Sequence, residues 1–196
     1  IQSPLFDIQS ISISTYHGLI CASTKSFLLL FDYSTQLFLR KEMTDETIIS
    51  TSFDDVSNFI IGFSDNYLYI YTLELKLIAK SQKMQSKICA LSICDSIIWN
   101  QHPFYLIGHE NGVINMCIFD ISSSTINITK LINMSCPITN ITIFSNNQAA
   151  IAICSNGTSK LIVIYPINHQ IISRTVFTKC SICNTMLTKN QKYCCG

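Results

Sequence analysis

Phe59-Ile-Ile-Gly62-Phe63-Ser64-Asp65-Asn66-Tyr67-Leu-Tyr-Ile-Tyr71-Thr72 is two short apolar runs parted by three polar residues. Runs of this length, rich in isoleucine and aromatic residues and bounded by Ser, Asp and Asn, read as two strands joined by a tight hairpin. Asp65-Asn66 suits the positive-φ positions of such a turn. The same grammar returns as Leu106-Ile-Gly108-His109-Glu110-Asn111-Gly112 and as Ile151-Ala-Ile-Cys154-Ser155-Asn156-Gly157. Asn-Gly at the matching place is a strong hairpin signal. A first copy has only Thr24-Lys25 at its turn, a weaker version of the same feature.

Working outward, each hairpin is preceded by an opening apolar strand. These are Ile8-Gln-Ser-Ile-Ser-Ile13, Ile48-Ile-Ser-Thr-Ser-Phe53, Ile88-Cys-Ala-Leu-Ser-Ile93 and Ile138-Thr-Asn-Ile-Thr-Ile143, at intervals of 40, 40 and 50 residues. Each hairpin closes on an aromatic: Phe31-Asp32, Tyr71-Thr72, Phe119-Asp120 and Tyr165-Pro166. A fourth, more polar strand follows in each unit, at 36–41, 76–81, 125–132 and 171–177. Arg40, Lys76, Lys80 and Arg174 suit an outer strand, where charge guards a free edge against further pairing. A self-similar unit of ~40–45 residues built from four short strands is a propeller blade. The expected fold is all-β, about four blades over residues 1–177, followed by the start of a small zinc finger over 178–196.

Composition agrees with a strand-built core and narrows the partners. Apolar residues make up 48% and charged residues 13% of the 196-residue chain, against a usual ~25% charged. A net charge of +1 gives no reason to expect nucleic acid. No apolar run approaches the ~18 residues of a membrane span. The chain starts almost inside a blade, so it reads as a fragment whose earlier blades lie upstream.

Ten cysteines divide into two groups. Cys21, Cys89, Cys94, Cys117, Cys136 and Cys154 fall in or near strands, where a free thiol behaves as a small hydrophobe. Cys180, Cys183, Cys194 and Cys195 crowd the C-terminal end. This pattern suggests a reducing compartment and a metal site, not a disulfide framework. A Cys-x-x-Cys turn aims two thiolates at one tetrahedral Zn²⁺, and Cys194 and Cys195 supply candidate further ligands. No acidic residue occurs over 177–196, where Lys179, Lys189 and Lys192 leave a mildly basic finger.

No catalytic arrangement stands out. The four histidines, His17, His102, His109 and His169, are scattered through the units, and a His109–Cys117 nucleophile–base pair competes with ordinary strand-end histidines. The chain is expected not to be an enzyme. Trp99, in the longest connection within a unit, and His109 are the candidate interaction residues, since exposed aromatics anchor interfaces.

At Gly62-x-x-Asp65-Asn66-x-Leu68-x-Ile70-Tyr71-Thr72 the chain resembles WD40 repeats, which show Gly-x-x-Asp-Gly followed by a strand ending in Trp-Asp. Here that ending survives as Phe31-Asp32 and Phe119-Asp120. The order Cys180-x-x-Cys183, a spacer, then Tyr193-Cys194-Cys195-Gly196 resembles the first half of a FYVE-type finger. That family binds phosphatidylinositol 3-phosphate through a basic run, matched here by Lys192 with Lys189 nearby. A propeller followed by such a finger resembles the C-terminal end of BEACH-domain proteins, and the segment 99–112 is similar to their blades. The resemblance implies a cytoplasmic scaffold in vesicle traffic and autophagy, peripheral on endosomal membranes, with protein partners on the propeller loops. Two alternatives stand beside it: a phosphoinositide-binding membrane adaptor, and a RING-like ubiquitin ligase subunit with the propeller as substrate receptor.

Overall fold

The computed structural model describes residues 7–94, 102–144, 149–165, 170–179 and 186–188. Every regular element among them is a β-strand. The chain clusters into two compact units, Ile1–Gln85 with Ile121–Ile126, and Ser86–Asp120 with Asn127–Gly196.

The first unit holds two antiparallel sheets in sequence order. One is β1 (Ile8–Ser14), β2 (Leu19–Thr24), β3 (Phe27–Asp32) and β4 (Leu37–Met43); the other is β5 (Ser50–Asp54), β6 (Phe59–Phe63), β7 (Leu68–Thr72) and β8 (Leu77–Lys80). Alternation along β1 decides how they meet, because successive side chains leave opposite faces. Ser10, Ser12 and Ser14 face the second sheet: Ser12 Oγ lies 3.0 Å from Thr51 Oγ1, and Thr51 N–H donates to Ser10 Oγ at 3.3 Å. Small hydroxyl residues let the opening strands approach closely and satisfy one another. Behind this seam Cys21, Leu28 and Leu30 bury against Ile48, Phe53, Ile60, Tyr69, Tyr71 and Leu75. Removing one such fully buried aliphatic side chain typically costs ~2–5 kcal/mol.

The second unit repeats the plan. Its first sheet is β9 (Ile88–Ile93), β10 (Phe104–His109), β11 (Val113–Asp120) and β12 (Thr125–Asn133). Its second is β13 (Ile138–Ile143), β14 (Ala149–Cys154), β15 (Ser159–Tyr165), β16 (Gln170–Lys179) and β17 (Met186–Thr188). Ser92 takes the role of the β1 serines, its Oγ accepting Ile143 N–H at 3.0 Å. Ala90, Phe104, Leu106, Ile114 and Met116 bury against Ile138, Ile141, Ala150, Ala152 and Ile162. Gly108 sits at the closest point, where an added Cβ would stand 2.7 Å from the Cβ of Ile138.

Strand placement follows the sequence reading closely, the outer strands included. Three features depart from it. Asp65 and Asn66 are not among the positive-φ residues, whereas Gly112 and Gly157, at +82°, are. The Asn-Gly turns share one device: Asn111 Oδ1 accepts Val113 N–H at 3.1 Å, and Asn156 Oδ1 accepts Thr158 N–H at 2.9 Å. The second-sheet hairpin is tied differently, by Ser64 N–H to Tyr67 O at 3.0 Å and by the Asn66 amide to Met84 O at 3.2 Å. Next, the outer strand of the last sheet is not its edge, because β17 adds to β16 with Lys179 opposite Met186. β16 therefore continues past residue 177, where the sequence reading ended the blades.

The third departure is a correction. Cys136 and Cys154 form a disulfide rather than standing as free thiols, with Cα atoms 6.0 Å apart. The turn before β13 and the end of β14 are register neighbours, Ile138 pairing with Cys154, so the fold brings the two Cα atoms within bonding range. Cys21 and Cys117 remain buried thiols, and burial pushes Cys21 up to about 12.

Candidate interaction surface

The β1–β2 turn, Thr15-Tyr16-His17-Gly18, closes with Gly18 at φ +71°. Tyr33, in the β3–β4 turn, ties back to it: its N–H donates to Gly18 O at 3.0 Å and its hydroxyl to Thr15 O at 3.4 Å. Ser14 donates to Asp55 Oδ1 at 2.6 Å and accepts His17 N–H at 3.0 Å, bringing the β5–β6 turn to the same rim. His17 Nε2 stands 4.0 Å from that carboxylate. The result is a fixed rim carrying Tyr16, Tyr33 and Val56. Tyr16 is 78% exposed and meets His17 edge-on at 4.8 Å between ring centres. Asp32 caps the neighbouring turn, and the Ser34 hydroxyl bonded to it holds its carboxyl below the usual range.

This is an aromatic surface on backbone pinned from three sides. Tyr side chains give large amphipathic contact area at low entropic cost. The sequence reading missed it. The available signal was the serine alternation of β1, which marks that strand as seamed to a neighbour and so fixes which turns share a rim.

Of the candidate residues named from sequence, His109 is the one described, and it lies inside. It is 2% exposed at the end of β10. Asn115 Nδ2 donates to its Nε2 at 2.9 Å, so the proton sits on Nδ1, which donates to Ser86 O at 3.0 Å. Its role is to pin residues 86–87 to the β10–β11 hairpin, helped by Glu110 N–H to Lys87 O at 2.9 Å. Burial pulls the imidazole below its ordinary pKa. Both ring nitrogens are committed, and burial raises the Cys117 thiol, so a His109–Cys117 pair has neither a free base nor an activated nucleophile. Trp99, Cys180, Cys183, Cys194, Cys195, Lys189 and Lys192 lie outside the described residues. Among the described residues no group of three or more His, Cys, Asp or Glu could hold a metal ion.

Four sheets of consecutive antiparallel strands, meeting in pairs through opening strands, define a β-propeller type of fold. Comparison with solved structures supports it. The chain is similar to the crystal structure of the computationally designed Ika4 protein, with TM-score 0.65 and 15% identity over 84% of this chain and 96% of that one. It is also similar to the β-propeller domain of Cps50 (Swd1) from Myceliophteria thermophila, with TM-score 0.65 and 11% identity over 90% of this chain. That match spans 60% of the Cps50 chain. No protein-family profile and no curated protein matches the sequence. At these identities the likeness concerns the fold alone.

Proposed function

We propose that the chain is a non-enzymatic scaffold that binds protein partners through its turns, as a propeller fold does generally. The observation that carries this reading is the Tyr16–Tyr33 rim, an exposed aromatic surface on backbone held by the Ser14–Asp55 seam. Within that reading the scaffold serves vesicle traffic and autophagy on the cytoplasmic side of endosomal membranes, supported by the resemblance to BEACH–WD40 proteins. A C-terminal finger accompanies it. Its donor set is all thiolate, the soft set that suits Zn²⁺, with Cys180 and Cys183 as two ligands and Cys194 or, alternatively, Cys195 as the third. The pairing of Lys179 with Met186 returns the chain to one sheet edge on either side of the Cys180/Cys183 pair. Zinc there supplies cross-linking of a short segment, not chemistry on a substrate. Lys189 and Lys192 offer that finger charge for a phosphoinositide headgroup.

Proximity labelling in cells with the wild type and with Tyr16→Ala/Tyr33→Ala tests the scaffold. A central aromatic anchor is worth about 2 kcal/mol or more, roughly 30-fold in affinity. A defined set of partners should therefore drop out of the variant while the folded protein level holds. An unchanged partner set would refute the rim as the binding surface. Native mass spectrometry tests the finger: Cys180→Ser/Cys183→Ser should lose one bound Zn²⁺, and a wild type free of zinc would end that part of the reading.

A further inference from the structure

We propose that Cys136 and Cys154 are a reversible thiol–disulfide site, opened and closed by exchange with a small thiol of the glutathione class. The bond joins the connector between β12 and β13 to the end of β14. Both cysteines belong to the second unit, and the site stands independently of the Tyr16–Tyr33 rim.

The company the bond keeps is the first observation. Cys21, Cys89, Cys94 and Cys117 are thiols, and Cys89 is exposed. Permanent disulfides belong to oxidising compartments, where an exposed spare thiol invites mispairing; a bond amid thiols is characteristically transient. Access is the second. Cys136 is half-buried and Cys154 is 2% exposed, so an incoming thiolate reaches Cys136 Sγ and not its partner. The third is that an acceptor already stands beside each sulfur. Cys136 Sγ lies 3.5 Å from Asn156 Oδ1, and Cys154 Sγ 3.6 Å from the carbonyl oxygen of Cys136. A bonded sulfur has no proton to give, so these contacts become hydrogen bonds only when the pair is reduced. Asn156 is held in place by accepting Thr158 N–H at 2.9 Å. Opening the bond therefore strands no buried thiol.

The backbone bonds around the pair do not depend on the sulfurs. Met134 N–H donates to Gly112 O at 2.9 Å, and Ser155 N–H to Pro137 O at 2.9 Å. An added Cβ at Gly112 would stand 2.6 Å from Cys136 O, so the connector lies directly on the β10–β11 hairpin. The bond thus sets how tightly the connector is held, not whether the sheets form. In the exchange a small thiolate attacks Cys136 Sγ, the Cys136–Cys154 bond breaks, and Cys154 leaves with the electron pair and takes up a proton. A second small thiolate then attacks the small thiol's sulfur in the mixed disulfide, and Cys136 departs as a thiol. Two electrons and two protons pass to the protein, and two small thiols end as one small disulfide. The reverse sequence, starting from the small disulfide, closes the bond.

Differential alkylation with mass spectrometry tests this on the 196-residue chain, equilibrated in glutathione buffers from fully reducing to fully oxidising. Cys136 and Cys154 should pass from doubly alkylated to cross-linked within that range, with a mixed disulfide on Cys136 and none on Cys154, while Cys21 and Cys117 stay thiols throughout. Hydrogen exchange on the same samples should show the Met134, Ser155 and Thr158 amides exchanging at least about tenfold faster once the pair is reduced, with β5–β7 unchanged. Cys136→Ser keeps a donor for Asn156 Oδ1 and should give the reduced pattern in every buffer. A pair that never cross-links, a cross-link that resists every reducing ratio, or exchange that is the same in both states overturns the proposal. So does loss of β-structure on reduction, read by circular dichroism, because the bond would then be a permanent structural one.

Discussion

His109 receives a hydrogen bond on one ring nitrogen and gives one from the other, and burial keeps it neutral. Its folded pKa lies below the unfolded value of about 6.5. Between those two values the unfolded chain takes up a proton that the folded chain refuses, so stability is whole above about pH 6.5 and falls as pH drops below it. The melting temperature should therefore decline on going from about pH 7.5 to 5.5. His109→Gln should flatten that decline while lowering stability at neutral pH, because Ser86 and Asn115 lose matched partners at ~1–3 kcal/mol. An unchanged pH slope in the variant would contradict this role. The sequence marked His109 but gave it a surface task. Which way a strand-end histidine points depends on Ser86, 23 residues away, and no local pattern carries that.

At the scale of elements, period-2 runs and turn residues made nearly every strand legible. Asn111-Gly112 and Asn156-Gly157 behaved as their chemistry demands, with glycine taking the positive φ. Asp65-Asn66 did not, because Ser64, Tyr67 and Met84 supply bonds that hold the turn without it. The Cys136–Cys154 disulfide was illegible for a related reason, since it depends on the register of β13 against β14. Gly108 gives the element-scale prediction. Its missing side chain is what lets β10 lie against Ile138 and Ile141. Gly108→Ala should destabilise the second unit by ~1–3 kcal/mol through overpacking, despite the gain in backbone stiffness that alanine brings at an unstrained site. Chemical denaturation checks it, and a variant as stable as the wild type would show that the sheets do not meet there.

For the whole molecule, the repeat spacing was enough to predict four sheets of consecutive strands, and the likeness to the Cps50 (Swd1) β-propeller domain bears out that fold. The aromatic rim was not legible, because it forms from turns 15–18 and 33–36, tied by Tyr33, and from turn 55–58, which the Ser14–Asp55 bond of the serine seam brings to them. The seam and the apolar rows behind it are the central claim: within each unit the two sheets stack by their faces, the second opening strand buried beneath the sheet before it. An isoleucine-rich chain suits methyl labelling, so methyl–methyl nuclear Overhauser contacts test this most directly. The account predicts contacts from Leu28 or Leu30 to Ile48 or Ile60, and from Leu106 to Ile138 or Ile141. Their absence in a folded sample, with Ile48 and Ile138 showing contacts only inside their own sheets, would contradict the face-stacked arrangement and with it the propeller reading.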